Sequence, residues 1–458
     1  MLKTDNYLAE GSIFTNLLKF SFPLIISYLL QAALNVTDMA IVSIYKGSEG
    51  LSAIGIGGHI TYLIINGAAG LSGGLTLLIG RLFGGKEERQ IKKAIANTAI
   101  LFAALSVVIG IAVICFSGLW LKALRTPDAA FGEAKRYVNI SMAGLIFVFA
   151  YNGVAAVSKG LGDGKLPLFI IFAAAAINAA LDMLFIPLLK MGAGFTAVSN
   201  ILAQASAAAI GIIVLAKKQP LFKLNKPDYK TDLPLIKEIV KLGAPLGLLN
   251  VTATLSFMLL TYIVNRIGGE GAVYASCAHT IATKYNGIAL LPARAVSLAI
   301  GATVTQNLGA DKPERNKKTL YYGLAISLTI GVALTLFSFI FPKAVFALFG
   351  AEAAVAEFGG GYMRIMCFDY IIVPFAVSAY GLADGFGKTF VSMTINIISS
   401  IAVRAPAAYL LGIVLGLGMK GVGASIILAS VASVVMAWAY ILCMKEKPLS
   451  ANPRKKPD

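Results

Sequence analysis

The chain has 458 residues, 58% hydrophobic and only 13% charged, with a formal net charge of +17 and a mean hydropathy of +0.80. A soluble domain carries about 25% charge, so a water-soluble globule is excluded. The basic residues alternate between loops instead of gathering on one face, which argues against nucleic acid as their partner.

The polar opening MLKTDNYLAEGSIF leads into an apolar block too long for a signal peptide and without a convincing cleavage site, so this block is expected to be the first span. Blocks beyond about 18 apolar residues, such as AIANTAILFAALSVVIGIAVICFSGLWL from Ala94, read as membrane-spanning helices. Spans are predicted at 14–45, 51–83, 93–121, 133–159, 166–189, 193–216, 236–266, 272–307, 319–345, 355–383, 389–414 and 418–443. The expected fold is an all-α membrane protein with twelve transmembrane helices. Its organisation is an N-lobe at 1–216, a cytoplasmic linker at 217–235 (KKQPLFKLNKPDYKTDLP at its heart), a C-lobe at 236–444 and a basic cytoplasmic tail at 445–458. Lys and Arg concentrate in RLFGGKEERQIKK, KKQPLFKLNKPDYK, DKPERNKK and the tail. By the positive-inside rule these loops and both termini face the cytoplasm of a multi-pass protein in the cytoplasmic (inner) membrane. The four cysteines, Cys115, Cys277, Cys367 and Cys443, are scattered singly and read as packing residues.

The two halves repeat. SFPLIISYLLQ at Ser21 answers GAPLGLLNVTA at Gly243, LFGGKEERQIKK at Leu82 answers LGADKPERNKK at Leu308, and KRYVNI at Lys135 answers GYMRI at Gly361. KGLGDG at Lys159 answers DGFGKT at Asp384, all at an offset of about 222–226 positions. Six spans per half keep both halves in one orientation, so the lobes are pseudo-symmetric parallel repeats and a solute path is expected between them. Pro23 and Pro245 occupy equivalent places and are helix-kink candidates in spans one and seven.

Charges at membrane depth are costly and need a reason. Asp38 precedes Lys46 by eight positions and Asp182 precedes Lys190 by eight, which puts both about 12 Å below the outer rim. Asn178 shares a helix face with Asp182, and Asn200 in span six is a further candidate for the cluster. Carboxylates and amides at one depth suit either a shared proton or a hard cation such as Na⁺ at Asp38, Asn178 and Asp182. The competing reading has each aspartate capping backbone or pairing with a buried base.

The second half carries Lys284, Arg294, Asp369 and Arg404 instead. Lys284 and Arg294 either line one wide cavity, favouring a substrate with an anionic or strongly polar part, or pair with Asp369. His59 in span two is a titratable cavity candidate or a packing residue. The turns KGLGDG and DGFGKT swap charges, Lys159 for Asp384 and Asp163 for Lys388. They are read either as two local solvated pairs or as a weak cytoplasmic latch of about 0.2–1 kcal/mol per pair. No nucleotide loop, zinc spacing or aqueous acid pair is present, so neither enzymatic activity nor ATP-driven transport in cis is expected.

The chain resembles the multidrug and toxic compound extrusion (MATE) family over nearly its full length. The resemblance is carried by SFPLIISYLLQAALNVTDMAIVSIYKGSEGLSAIGIG, KGLGDGKLP, INAALDMLFI, TQNLGADKPER and VRAPAAYLLG. It implies a two-lobed antiporter that exports organic solutes against an inward flow of H⁺ or Na⁺. It is most similar to the bacterial DinF-type branch, which implies an ion site at Asp38, Asn178 and Asp182 and a span-one kink at Pro23. The same resemblance makes Tyr137 and Asn152 polar cavity positions. Asn200 departs from the Thr often found there, Arg294 from an apolar residue, and span seven lacks the carboxylate of another branch. The implied protein is a monomer in the lipid bilayer, with a small organic solute and H⁺ or Na⁺ as its partners and no cofactor beyond a bound Na⁺. A flippase for a lipid-linked or anionic precursor of the same superfamily is the alternative.

Overall fold

The computed structural model describes residues 8–124, 126–267 and 272–444. The basic tail at 445–458 lies outside the described residues. Among the described residues ten helices are long and apolar enough to cross a membrane, and two bent pairs bring the count to twelve. They are α1 (Ile13–Gly47), α2 (Glu49–Gly84), α3 (Glu88–Ala123), α4 (Asp128–Ala143 with Leu145–Gly160), α5 (Lys165–Leu188) and α6 (Ala193–Lys218). The second set is α7 (Leu233–Ile267), α8 (Val273–Gly309), α9 (Arg315–Ile340), α10 (Ala353–Met366 with Asp369–Gly385), α11 (Thr389–Val414) and α12 (Gly418–Cys443). The twelve-span fold expected from the sequence is the one observed.

The apolar blocks leave large side chains exposed, as hydrocarbon around them requires. Val108, Ile111, Phe116 and Leu119 of α3 are all more than half exposed. Boundaries fall where local chemistry dictates. Gly47, at φ 63°, ends α1. Span nine, predicted to run to 345, stops at Ile340, and a short helix, Pro342–Ala347, begins with a proline in its first turn. Pro23 and Pro245 sit inside α1 and α7, and two further spans are broken and bent. The breaks are at Gly144 in α4 (51°) and between Met366 and Asp369 in α10 (41°).

The repeat is written into the backbone. Lys86 and Asp311 share a left-handed conformation (φ 57° and 56°), as do Gly162 and Gly387 (80° and 73°) and Lys190 and Gly416 (52° and 68°). Within the charge-swapped turns, Asp163 N donates to Ser158 O and Gly162 N to Lys159 O, while Lys388 N donates to Ala383 O and Gly387 N to Asp384 O. One turn geometry therefore accepts either charge at either position, because the backbone and its glycine carry the conformation.

The chain forms two compact units, and each takes the first turns of a helix from the other half of the sequence. The first unit is Phe22–Gly247. It holds the polar stretch 217–235, which Asn97 of α3 pins through Nδ2 to Lys230 O (3.3 Å) and through Oδ1 from Asp232 N (2.8 Å). Arg81 of α2 pairs with Glu238 of α7. Above that pair α2 and the start of α7 meet backbone to backbone: a Cβ on Gly70 would stand 2.1 Å from Gly247 N, and one on Gly74 2.4 Å from Gly243 N. The division thus falls inside α7, after Gly247, and not in the linker. The second unit comprises Leu8–Ser21 and the residues from Leu248 onward. There Gln306 Oε1 accepts from Leu8 N (2.8 Å), Arg315 Nη2 donates to Gly11 O (2.9 Å), and Phe14 packs edge-on to Tyr322. Its core centres on Tyr362, Met363, Met366, Phe346 and Leu260.

Candidate functional site

Three apolar helices of the first unit each carry polar residues one turn apart. Gln31, Asn35 and Asp38 lie along α1, Asn178 and Asp182 along α5, and Asn200 and Gln204 along α6. At 3.6 residues per turn each set lines one helix face. The faces converge on a cavity of about 50 Å³ lined by Gln31, Asn35, Asp38, Asn178, Asn200 and Gln204, with Tyr151 of α4 also in its wall. At roughly 10–15 Å³ of such space per water, it has room for a few waters or a partly hydrated ion.

Asn178 sits at the centre. Its Nδ2 donates to Asp38 Oδ1 (2.6 Å) and to Asp182 Oδ2 (3.3 Å). The two carboxyl groups are near enough to act on each other directly. Asp182 is fully buried and Asn178 only 3% exposed. The buried Ser199 hydroxyl of α6 lies beside the Asp182 carboxyl. The equal depth inferred from the rim lysines has a direct counterpart, because Lys46 Nζ donates to the Lys190 carbonyl (3.2 Å). Past Asp182 the helix widens into a π-turn at Leu184–Leu188, a form that recurs at functional sites.

Two carboxylates sharing one amide donor beside a small polar cavity form an acceptor-rich site that a proton or a small hard cation would complete. Among the described residues no group of three His, Cys, Asp or Glu suits a transition metal. A hard cation there would be held by the carboxylate oxygens of Asp38 and Asp182, toward which Asn178 turns its Nδ2.

The structure brings Asp38, Asn178, Asp182 and Asn200 together, the last through the cavity wall and a long contact from Gln204 Nε2 (3.5 Å). Tyr137 lies within electrostatic reach of both aspartates. Asn152 turns back to its own helix, donating to Val148 O (2.8 Å), and its neighbour Tyr151 lines the cavity instead. His59 is exposed and does not line this cavity. Gln31, Asn35 and Gln204 join the predicted residues in the cavity wall, and the one-turn spacing of polar residues on apolar helices marks them.

In the second unit Asp369 is buried, opens the second half of α10 and accepts from Ser430 Oγ (2.5 Å). Its neighbouring base is Arg404, not Lys284 or Arg294. Lys284 and Arg294 are both exposed. Lys284 stands 225 positions after His59, the offset of the turns, so the two hold equivalent registers. Three of the four charge-swapped residues have partners in their own units. Lys159 Nζ stands 5.8 Å from the Tyr28 ring centroid, and Asp163 Oδ1 accepts from Lys165 N (2.9 Å) at the start of α5. Asp384 Oδ1 accepts from Ser392 Oγ (2.7 Å), and Lys388 is exposed.

Twelve spans in two backbone-repeated sets, with a buried acid–amide cluster in one, define a polytopic integral membrane protein of twofold internal repeat. The chain belongs to the MatE family, whose model matches it twice, at residues 23–184 and 245–410, starting at Pro23 and Pro245. It is 26% identical over 438 residues, 94% of this chain and 95% of the relative, to "Probable multidrug resistance protein YpnP" of Bacillus subtilis (strain 168). Among solved structures it is similar to one described as MATE in complex with MaL6 (TM-score 0.91, 21% identity, 96% of this chain and 98% of that one). Another, described as the outward-facing conformation of a multidrug resistance MATE family transporter of the MOP superfamily, matches with a TM-score of 0.90 at 21% identity, over 95% of this chain and 97% of that one.

Proposed function

We propose that the protein is a secondary transporter that exports small organic solutes from the cytoplasm in exchange for inward H⁺ or Na⁺. The observation that carries this reading is the Asn178 amide bridging Asp38 and Asp182 beside a water-sized cavity. Membership of the MatE family and the multidrug-resistance names of the relatives support the solute class. Its basic loops support a position in the cytoplasmic membrane with both termini inside.

In this reading the solute binds from the cytoplasm, and an ion arriving from outside enters between Asp38 and Asp182. Its charge removes the mutual repulsion of the two carboxylates, and Asn178 follows the ion-bound geometry. Pro23 lies about four turns before Asp38 on α1. Its missing N–H leaves a weak point at which α1 can bend when the contacts at Asp38 change. Release outside and return complete an alternating-access cycle.

The test is efflux of a fluorescent solute in everted membrane vesicles under an imposed pH gradient or an imposed Na⁺ gradient. Wild-type protein is expected to respond to one gradient and Asp38→Asn to neither. Gradient-independent movement, or wild-type rates in Asp38→Asn, would remove the coupling assignment.

A further inference from the structure

Arg404 lies on α11, about 22 Å from the start of that span at Thr389 and about 15 Å from its end at Val414. It closes a π-helical stretch, Ile398–Arg404. Ser256 of α7 anchors this stretch by donating to Ser400 O (2.7 Å), and Arg404 Nη1 donates to the same Ser256 hydroxyl (3.3 Å). The guanidinium lies over the Phe257 ring at 4.9 Å. Of its five N–H donors, Nε is buried with no hydrogen-bond partner among the described residues.

Nothing in the unit fully answers that charge. The ion pairs among the described residues are Arg81–Glu238, Arg136–Glu133 and Lys343–Glu357, and Arg404 is in none of them. Asp369 is within electrostatic reach. Its carboxylate, however, already takes the Ser430 hydroxyl and sits in the first turn of a helix, where the dipole favours an anion. A second guanidinium, that of Arg294 on α8, is also within electrostatic reach of Arg404. Arg294 is exposed, as is Lys284 ten residues earlier on the same span. Charged side chains exposed deep in a span face water and not lipid. The unit therefore gathers two arginines against one satisfied carboxylate, beside a watered surface.

We infer that Arg404 and Arg294 form an anion subsite that holds a carboxylate or phosphate group, carried by the transported solute or by a lipid headgroup. The proposal rests on the transport reading above and specifies its substrate class. A guanidinium plane held against Phe257 presents a fixed fork to a two-oxygen anion, a geometry that lysine lacks.

The test is equilibrium binding of carboxyfluorescein, an organic anion, to the full chain in neutral phosphatidylcholine nanodiscs, with rhodamine 6G as the cationic counterpart. Wild-type protein should bind carboxyfluorescein, and added salt should weaken it. Arg404→Gln should lose about 10- to 100-fold in affinity, with Arg404→Lys recovering part of the loss. Arg294→Gln, at an exposed position that does not threaten the fold, should lose about two- to fivefold. Nanodiscs containing phosphatidylglycerol separate two sources of the anion. Unchanged dye binding assigns the subsite to a soluble solute, and displacement of the dye assigns the same guanidiniums to a lipid headgroup; both support an anion subsite. Preference for rhodamine 6G with no carboxyfluorescein binding would overturn the inference, as would unchanged dye affinity in both glutamine variants. Equilibrium binding needs no gradient, so failure of the coupling reading, which shows in vesicle efflux, is told apart from failure here.

Discussion

The contact of α2 with the start of α7 allows a sharp test, because two rules predict opposite signs for one substitution. A glycine inside a helix costs about 1 kcal/mol relative to alanine, so Gly→Ala should stabilise. At Gly70 the added Cβ would stand 2.1 Å from Gly247 N and 2.2 Å from Gly247 Cα. Carbon contacts settle near 3.5–4.0 Å, so the helices must part by more than about 1 Å. The opposing atoms are backbone and cannot rotate away, which places the cost at the upper end of the usual overpacking range, about 3 kcal/mol. The net expectation for Gly70→Ala is a loss of about 2 kcal/mol. Gly58→Ala and Gly67→Ala are the controls, since a Cβ at either meets nothing within 4 Å. Both should be neutral or gain up to about 1 kcal/mol. Thermal unfolding of the purified protein in detergent reads all three. If Gly70→Ala melts at or above wild type, the backbone contact is not what limits this helix crossing.

The other predictions concern the acid cluster and the linker. Removing one carboxylate from a cation about 4 Å away forfeits about 4 kcal/mol at an effective dielectric constant of 20. Asp38→Asn should therefore cut gradient-driven efflux from proteoliposomes at least about 100-fold. Its melting temperature should hold or rise, because one of two repelling charges is gone; a large drop would mean that Asp38 serves the fold. Asn178→Leu keeps the volume but removes the donor shared by Asp38 and Asp182. It should abolish coupling as fully as Asp38→Asn, and coupled efflux at wild-type rate would contradict the bridging role. Asn97→Ala loses both ties to the linker at Lys230 and Asp232. It should cost about 1–2 kcal/mol and speed proteolysis within 217–235 while efflux continues, and unchanged cleavage would show that other contacts hold the stretch.

The sequence by itself determined the span count, the repeat and the equal spacing of Asp38 and Asp182 from Lys46 and Lys190. Each of these depends on properties local in the chain: apolar runs long enough for a bilayer, a recurring turn with a glycine in the left-handed region, and a count of residues back from a rim lysine. It also placed Asp38, Asn178 and Asp182 on helix faces that could meet, since Asn178 and Asp182 are one turn apart. Tertiary structure alone decided which faces met, and so added Gln31, Asn35 and Gln204 to the cavity wall and turned Asn152 away from it. It decided that Asp369 neighbours Arg404 and not Lys284 or Arg294, because that choice depends on how α10, α11 and α12 pack. It also placed the division between units inside α7. A polar, proline-bearing linker marks where a chain is hydrophilic. The limit of a compact unit is set by which surfaces close on each other, and at Gly70, Gly74, Gly243 and Gly247 the absence of side chains lets two distant segments close to backbone contact.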